Sequence, residues 1–299
     1  CVRKNLPGKM KQRRRQKKPM RVINTSEIIS QIRDMCMQVN VHLSDDVKSA
    51  ILAGKKKEES PLGCQILGQL EENMNIAAET NIPICQDTGM TVVFLKVGQD
   101  VHFEGMFIED AVNEGIRQGY KDGYLRKSVV KDPVDRVNTD DNTPGVIHYE
   151  IVPGDQVEIT VAPKGFGSEN MSRLYMLKPA DGIEGIKDAI LETVKLAGPN
   201  ACPPIVVGVG IGGTFEKSAI LAKKALTRDL NCSSDIPYVR ELEDEMLEKI
   251  NQLGIGPGGL GGRVTALGVN VETYPTHIAG MPVAINICCH VNRHIRRVI

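Results

Sequence analysis

Up to residue 80 the apolar positions recur at helical spacing. Residues 25–40, TSEIISQIRDMCMQVN, put Ile28, Ile32, Met35, Cys36 and Val39 on one stripe. That period predicts a helix with one buried face. A Ser or Thr at its start can cap the free N–H groups. Residues 44–54, SDDVKSAILAG, predict a shorter helix capped by Ser44 and stopped at Gly54. A third helix over 60–79 has Ser60 as cap and Pro61 in its first position. Its expected stripe is Leu62, Ile66, Leu70, Met74 and Ala77. Between the last two helices, GKKKEES reads as a solvated linker.

Past residue 80 the period changes. MTVVFLKVG, 90–98, is rich in β-branched residues and predicts a strand. FIEDAVNEGIRQGYKDG, 107–123, returns to helical spacing. HYEIVPGDQVEITVAPK, 148–164, places two strand patterns around Pro153-Gly154-Asp155 and predicts a hairpin. A helix follows over 182–197, a buried strand at PIVVGVG, and helices near 214–228 and 236–252. The stretch 263–291 reads as two strands joined by a loop. No internal repeat is visible. A helical N-terminal part followed by mixed strands and helices, without steady βαβ alternation, indicates an α+β fold.

Length and composition narrow the class. The 299 residues suffice for one large domain or two small ones. With 41% hydrophobic and 25% charged residues the chain is of ordinary globular type. No apolar run approaches the roughly 18 residues a membrane span needs. Residues 1–20 contain no apolar core of a secretory signal. The zero net charge hides an asymmetry: residues 1–19 hold nine Lys and Arg and no acid, which leaves the rest acidic. Residues 1–19 are expected to be a disordered extension or upstream translation, and 20–299 the catalytic body. An acidic body speaks against nucleic acid as the main partner.

There are eight cysteines and no C-x-x-C pair. Without a signal peptide a reducing, cytoplasmic setting is expected, and a disulfide framework is not. Cys36 and Cys64 fall on apolar helix faces and read as small buried hydrophobes. The glycines gather in KGFGSEN (164–170), GVGIGGTFEK (208–217) and GIGPGGLGGR (254–263). Such loops can bring backbone N–H groups to an anion; tight turns and close packing are the plainer reading. GVGIGG resembles a dinucleotide fingerprint, but no βαβ unit with a clear acidic partner is expected after it.

Cys85, Cys202 and Cys289 stand at loop–strand junctions, where a scaffold presents side chains to a site. Three converging thiolates suit zinc or an iron–sulfur cluster. A three-thiolate [4Fe–4S] cluster leaves one iron free to act as a Lewis acid. The alternative is three buried structural cysteines.

The segments IPICQDTG, KGFGSENMSRLYMLKPADG, ACPPIVVGVGIGGTFEKSA and GIGPGGLGGRVTALGVNVETYPTHIAGMPVAINICCHVNRH resemble the class I, iron–sulfur-dependent fumarate hydratases. The match is to the separate alpha subunit of the two-subunit form and to the related L-tartrate dehydratase alpha subunit. It runs from about Met20 to the end.

The resemblance implies a hydro-lyase for fumarate and (S)-malate, with tartrate or another hydroxy-dicarboxylate as the alternative. A structural zinc-binding protein is the reading from a different class. A [4Fe–4S] cluster is implied on Cys85, Cys202 and Cys289. Cys288 is the rival for the third place, and neighbouring residues of a strand face opposite sides, so only one can reach the cluster. Cys289 is preferred because His277, matching the family's substrate-contacting histidine, precedes it by twelve residues. Gln86 and Asp87 would contact substrate, with Asp87 handling a proton. Arg126 would pair a carboxylate through its fork, and Gly165 or Gly167 would offer a backbone N–H. No counterpart of the family's carbon-side base appears, so a beta subunit is expected to complete the site, in an assembly of two alpha and two beta chains. His290 and His294 could tune the cluster, lie at that interface, or simply be solvated.

Overall fold

The computed structural model describes residues 20–299; the expectation for residues 1–19 lies outside the described residues. Strand β1 (Arg21–Asn24) leads into helices α1 (Thr25–Val41), α2 (Asp45–Lys57) and α3 (Pro61–Thr80). The Ile28-to-Val39 stripe of α1 is buried as its spacing predicts. Its cap is Asn24, which accepts the Ser26 N–H, rather than a Ser or Thr. Helix α2 runs three residues past Gly54. Helix α3 has the predicted Ser60 cap, accepting the Gly63 N–H. Its buried stripe is rotated, with Leu67 at its centre and Leu62 exposed. Cys36 is buried, whereas Cys64 is only half-buried.

The expected linker GKKKEES is not solvated throughout. Glu58 is buried, and its carboxylate accepts the N–H groups of Glu59, Ser60, Arg263 and Val264. A Cβ on Gly262 would lie 2.6 Å from Glu58 Oε1, so the loop closes over this carboxylate only with glycine there.

The strands β2 (Met90–Gly98) and β3 (Val101–Glu104) precede helix α4 (Ile108–Asp122). Strands β4 (Val146–Val152) and β5 (Val157–Lys164), the four-residue helix α5 (Phe166–Glu169) and strand β6 (Arg173–Leu177) follow. Then come helix α6 (Gly182–Ala197), strand β7 (Ile205–Gly212) and helices α7 (Phe215–Ala225) and α8 (Pro237–Asn251). Strands β8 (Ala266–Tyr274), β9 (Met281–Cys288) and β10 (Ile295–Val298) end the chain. The α+β expectation holds, with three sheets: β1-β3, β10-β5-β2-β4 and β6-β9-β7-β8.

The predicted hairpin over 148–164 does not form. Strand β2 lies between β4 and β5, parallel to the first and antiparallel to the second. The same insertion separates β8 from β9, with β7 between them. Three strands of each four-stranded sheet thus share one order, although no repeat is visible in the sequence; the outer fourth strand comes last in one sheet (β10) and first in the other (β6). A helical crossover links β7 to the parallel β8, so a βαβ unit does follow GVGIGG. Its glycines serve packing: a Cβ on Gly208 or Gly210 would meet the Ala222 or Ser218 carbonyl of α7 at 2.3 or 2.1 Å.

Helices α1 and α4 cover one face of the first large sheet, and α6 and α8 one face of the second. A third apolar cluster joins Val47 and Ile51 of α2, Met74 and Ala77 of α3, Ile84 and Val291. No helix among the described residues is long and apolar enough to cross a membrane.

Candidate active site

The IPICQDTG segment leaves α3 and enters β2 as a loop whose carbonyls point into the protein. Arg293, buried, donates to the Asp87 carbonyl and to that of Pro163. The Tyr120 hydroxyl donates to the carbonyls of Thr88 (2.7 Å) and Gly89 (3.0 Å). Asn142 Nδ2 reaches the Gly89 carbonyl at 3.2 Å. The main chain is thereby clamped from within while the Gln86 side chain stays exposed.

Asp87 is held at both oxygens. Oδ1 accepts the Gly89 N–H and Oδ2 the Phe166 N–H, each at 2.9 Å. A Cβ on Gly165 would lie 3.2 Å from Oδ2. The KGFGSEN loop is therefore seated directly against Asp87. Behind it, buried Lys164 bonds the Gly165 carbonyl and Ser168 Oγ and pairs with Glu169. Lys223 and Asn286 also reach Glu169. Burial raises the Glu169 carboxyl, but Lys164 and Lys223 outweigh it and hold it below the usual carboxylate range.

Cys202 follows the turn 198–201 with φ 54°, a left-handed backbone that L residues seldom adopt. Its thiol is exposed to solvent at one side; burial of the rest pushes it up, and the nearby Cys85 adds to this. Cys85 donates to Gln86 Oε1 at 3.4 Å. Cys85 and Cys289 pack against the same apolar cluster, the one containing Ile84 and Val291. Cys288 instead sits in a separate cluster with Val206 and Leu226. The adjacent Cys289 thiol, with Lys164, Arg293 and Lys223, holds the Cys288 thiol below the ordinary value against the effect of burial. Neighbouring His290 bonds the Cys202 carbonyl through Nδ1 at 3.1 Å, and burial keeps its imidazole below the ordinary value.

Other candidate residues divide into two groups. Arg126 lies near the loop: its carbonyl accepts Thr88 Oγ1 at 3.0 Å, and its exposed guanidinium has no ion-pair partner among the described residues. Gly167 faces the turn before Cys202, where a Cβ would stand 4.0 Å from the Asn200 carbonyl. His277 is not brought to this place. It lies in the exposed loop before β9, hydrogen-bonded to Ala279 N–H, beside the turn at Gly213. Cys288 ends β9 and Cys289 follows it, at the other end of a strand whose eight residues span about 24 Å. His294 is not solvated either, since its side chain is only 6% exposed.

A single zinc ion held by three thiolates at about 2.3 Å would draw the sulfurs to within roughly 4 Å of one another. Among the described residues, the Sγ atoms of Cys85, Cys202 and Cys289 do not all fall within 4.8 Å of each other. The surroundings suit an anionic group. Arg293 has only carbonyl partners, and its buried Nη1 has no acceptor. A buried cation left so is costly unless an anion comes beside it. Arg293, Tyr120, Asn142 and Glu169 escaped the sequence reading. Only Glu169, a charge inside a glycine-rich segment, carried a local signal.

A family model described as fumarate hydratase (Fumerase) matches residues 29–298. A Methanocaldococcus jannaschii protein provisionally named L(+)-tartrate dehydratase subunit alpha is 44% identical over 272 residues, covering 89% of this chain and 95% of its own. An Escherichia coli (strain UTI89) protein named L(+)-tartrate dehydratase subunit alpha is 34% identical over 280 residues, 92% and 91% of the two chains. Its Shigella sonnei counterpart is 33% identical over the same length.

Proposed function

The chain belongs to the fumarate hydratase (Fumerase) family and is a hydro-lyase, and we propose that it is the cluster-bearing alpha subunit of a fumarate hydratase. One observation carries the reading: Asp87, next to Cys85 and Gln86, is hydrogen-bonded to the Gly165–Phe166 turn at the place where Cys202 and the unpaired Arg293 also lie. Cys85, Cys202 and Cys289 would hold a [4Fe–4S] cluster. When bound, it supplies a Lewis-acidic iron for the substrate's carboxylate and hydroxyl.

The remaining roles fall to this chain's own groups. Arg126 is a free fork for a substrate carboxylate, and forked pairing orients as well as attracts. The N–H of Gly165 or Gly167 would support charge that builds on a carboxylate as the adjacent carbon loses its proton, since that of Phe166 is already taken by Asp87. Asp87 keeps lone pairs beyond the two that accept backbone N–H groups, so it can still exchange a proton at its exposed edge. His277, at the far end of β9, would meet substrate only in the site of another copy.

Gln86, Arg126, Phe166 and Cys202 are exposed together, so a second surface is needed to exclude water. We assign that surface to a beta subunit, in keeping with the alpha-subunit names of the relatives, in an assembly of two alpha and two beta chains. The described cysteines are all free, which supports a cytoplasmic setting.

Those names also support a second reading, dehydration of L-tartrate. The deciding experiment is anaerobic. The chain is reconstituted with iron and sulfide, combined with its beta partner, and offered fumarate and L-tartrate separately. Loss of fumarate with formation of malate, requiring both chains, is expected. Turnover of tartrate alone would move the substrate to the second reading. A loaded complex inert on both would overturn the proposal.

A further inference from the structure

Away from the cysteines, three acid and imidazole groups converge where α2, the turn after α7 and the C-terminal segment meet. The ligand atoms of Asp46, Asp229 and His294 all lie within 4.8 Å of one another. Asp46 is buried, with Oδ2 accepting the Leu230 N–H at 2.8 Å and Oδ1 left over. The Asp229 side chain is 64% exposed, open to solvent water. His294 supplies the independent observation: its imidazole is 6% exposed, and neither ring nitrogen has a hydrogen-bond partner. Burying a ring with both nitrogens unpaired is unfavourable unless something outside the chain joins them.

The spacing indicates what that is. His294 Nε2 stands 3.6 Å from Asp229 Oδ1, too far for a hydrogen bond. Two ligands on one cation, each about 2.1 Å from it at a tetrahedral or wider angle, stand roughly 3.4–3.6 Å apart. We propose that Asp46, Asp229 and His294 form a binding site for a first-row divalent cation in the manganese-to-zinc range. One imidazole with two carboxylates suits such ions, while the lack of a thiolate removes the preference for softer ones. Asp229, at the surface, leaves room for water to complete the coordination. The ion joins three segments distant in sequence. His294 lies five residues past Cys289, and Asn292 beside it is already tied to the Leu226 carbonyl of the same turn at 3.1 Å. The site therefore fixes the segment that follows the proposed ligand Cys289, independently of which substrate is turned over.

The test uses the full chain and Mn²⁺, which favours oxygen and nitrogen ligands over thiolates. Free Mn²⁺ is followed by electron paramagnetic resonance during titration, and pulsed measurements report any nitrogen bound to it. One saturable Mn²⁺ per chain with imidazole nitrogen coupling is expected. Asp229→Asn, an exposed and isosteric change, should weaken binding more than about tenfold, and His294→Gln should abolish the nitrogen signal. No saturable binding, binding unchanged in Asp229→Asn, or a wild-type signal without nitrogen would each overturn the site and leave only a His–Asp ion pair.

Discussion

The Asp87 carboxylate accepts the Phe166 N–H at 2.9 Å, across 79 residues of sequence. The bond fixes one loop by the start of another and aims the acid's remaining lone pairs outward. Asp87→Asn keeps the shape and one acceptor oxygen but cannot exchange the proton. Turnover by the reconstituted enzyme should fall about 10²–10⁴-fold, with the circular dichroism of the chain unchanged. Turnover within a few-fold of wild type would remove Asp87 from proton transfer.

The two adjacent cysteines offer a second test. Cys289 and Cys85 pack against one apolar cluster, whereas Cys288 lies among Val206 and Leu226. Cys289→Ser should lose most of the reconstituted iron and sulfide, as should Cys85→Ser and Cys202→Ser. Cys288→Ser should retain them. Iron and sulfide analysis of the four proteins decides, and the reverse pattern would make Cys288 the ligand.

Tyr120 touches no substrate, yet its hydroxyl bonds the carbonyls of Thr88 and Gly89. Tyr120→Phe removes the donor without opening a cavity. Stability should fall by about 1–2 kcal/mol. If the residue positions the loop, kcat should fall more than the loss of folded protein accounts for. Urea titration and kcat together separate positioning from stability alone.

Glu58 acts at a distance from the chemistry. Burial raises its carboxyl, but the N–H donors of Arg263, Ser60, Val264 and Glu59 bring it below the ordinary carboxylate value. A depressed folded pKa means the stabilisation is whole above the unfolded value and is lost as pH falls through the folded one. Wild type should therefore lose stability in acid more steeply than Glu58→Gln. At neutral pH, Glu58→Ala should cost on the order of 2–4 kcal/mol, because buried N–H groups lose their acceptor. Denaturant titrations at neutral and acidic pH check both.

Much of the local structure was legible beforehand. The stripe of α1, the Ser60 cap and Pro61 start of α3, strand 90–98 and helix 182–197 appear where the apolar period and the capping residues put them. Of the site, the short motifs around Cys85, Gly165 and Cys202 stood out because unusual residue types crowd together there. What failed was pairing. The hairpin at Pro153–Asp155 was a reasonable local reading, yet β2 supplies the partner to both strands.

The sequence by itself determined the apolar periods, the Ser60 cap and Pro61 start of α3, and the family. These depend on neighbours within a few residues, where geometry is set by the chain's own connectivity. Only the tertiary structure decided which strands pair, that Glu58 is buried, that Arg293 underlies Asp87, and that His294 meets Asp46 and Asp229. Each of these is a contact between distant segments. Its energy comes from burial and hydrogen bonding that no local pattern encodes, because a residue's period reports that a face is covered and not what covers it.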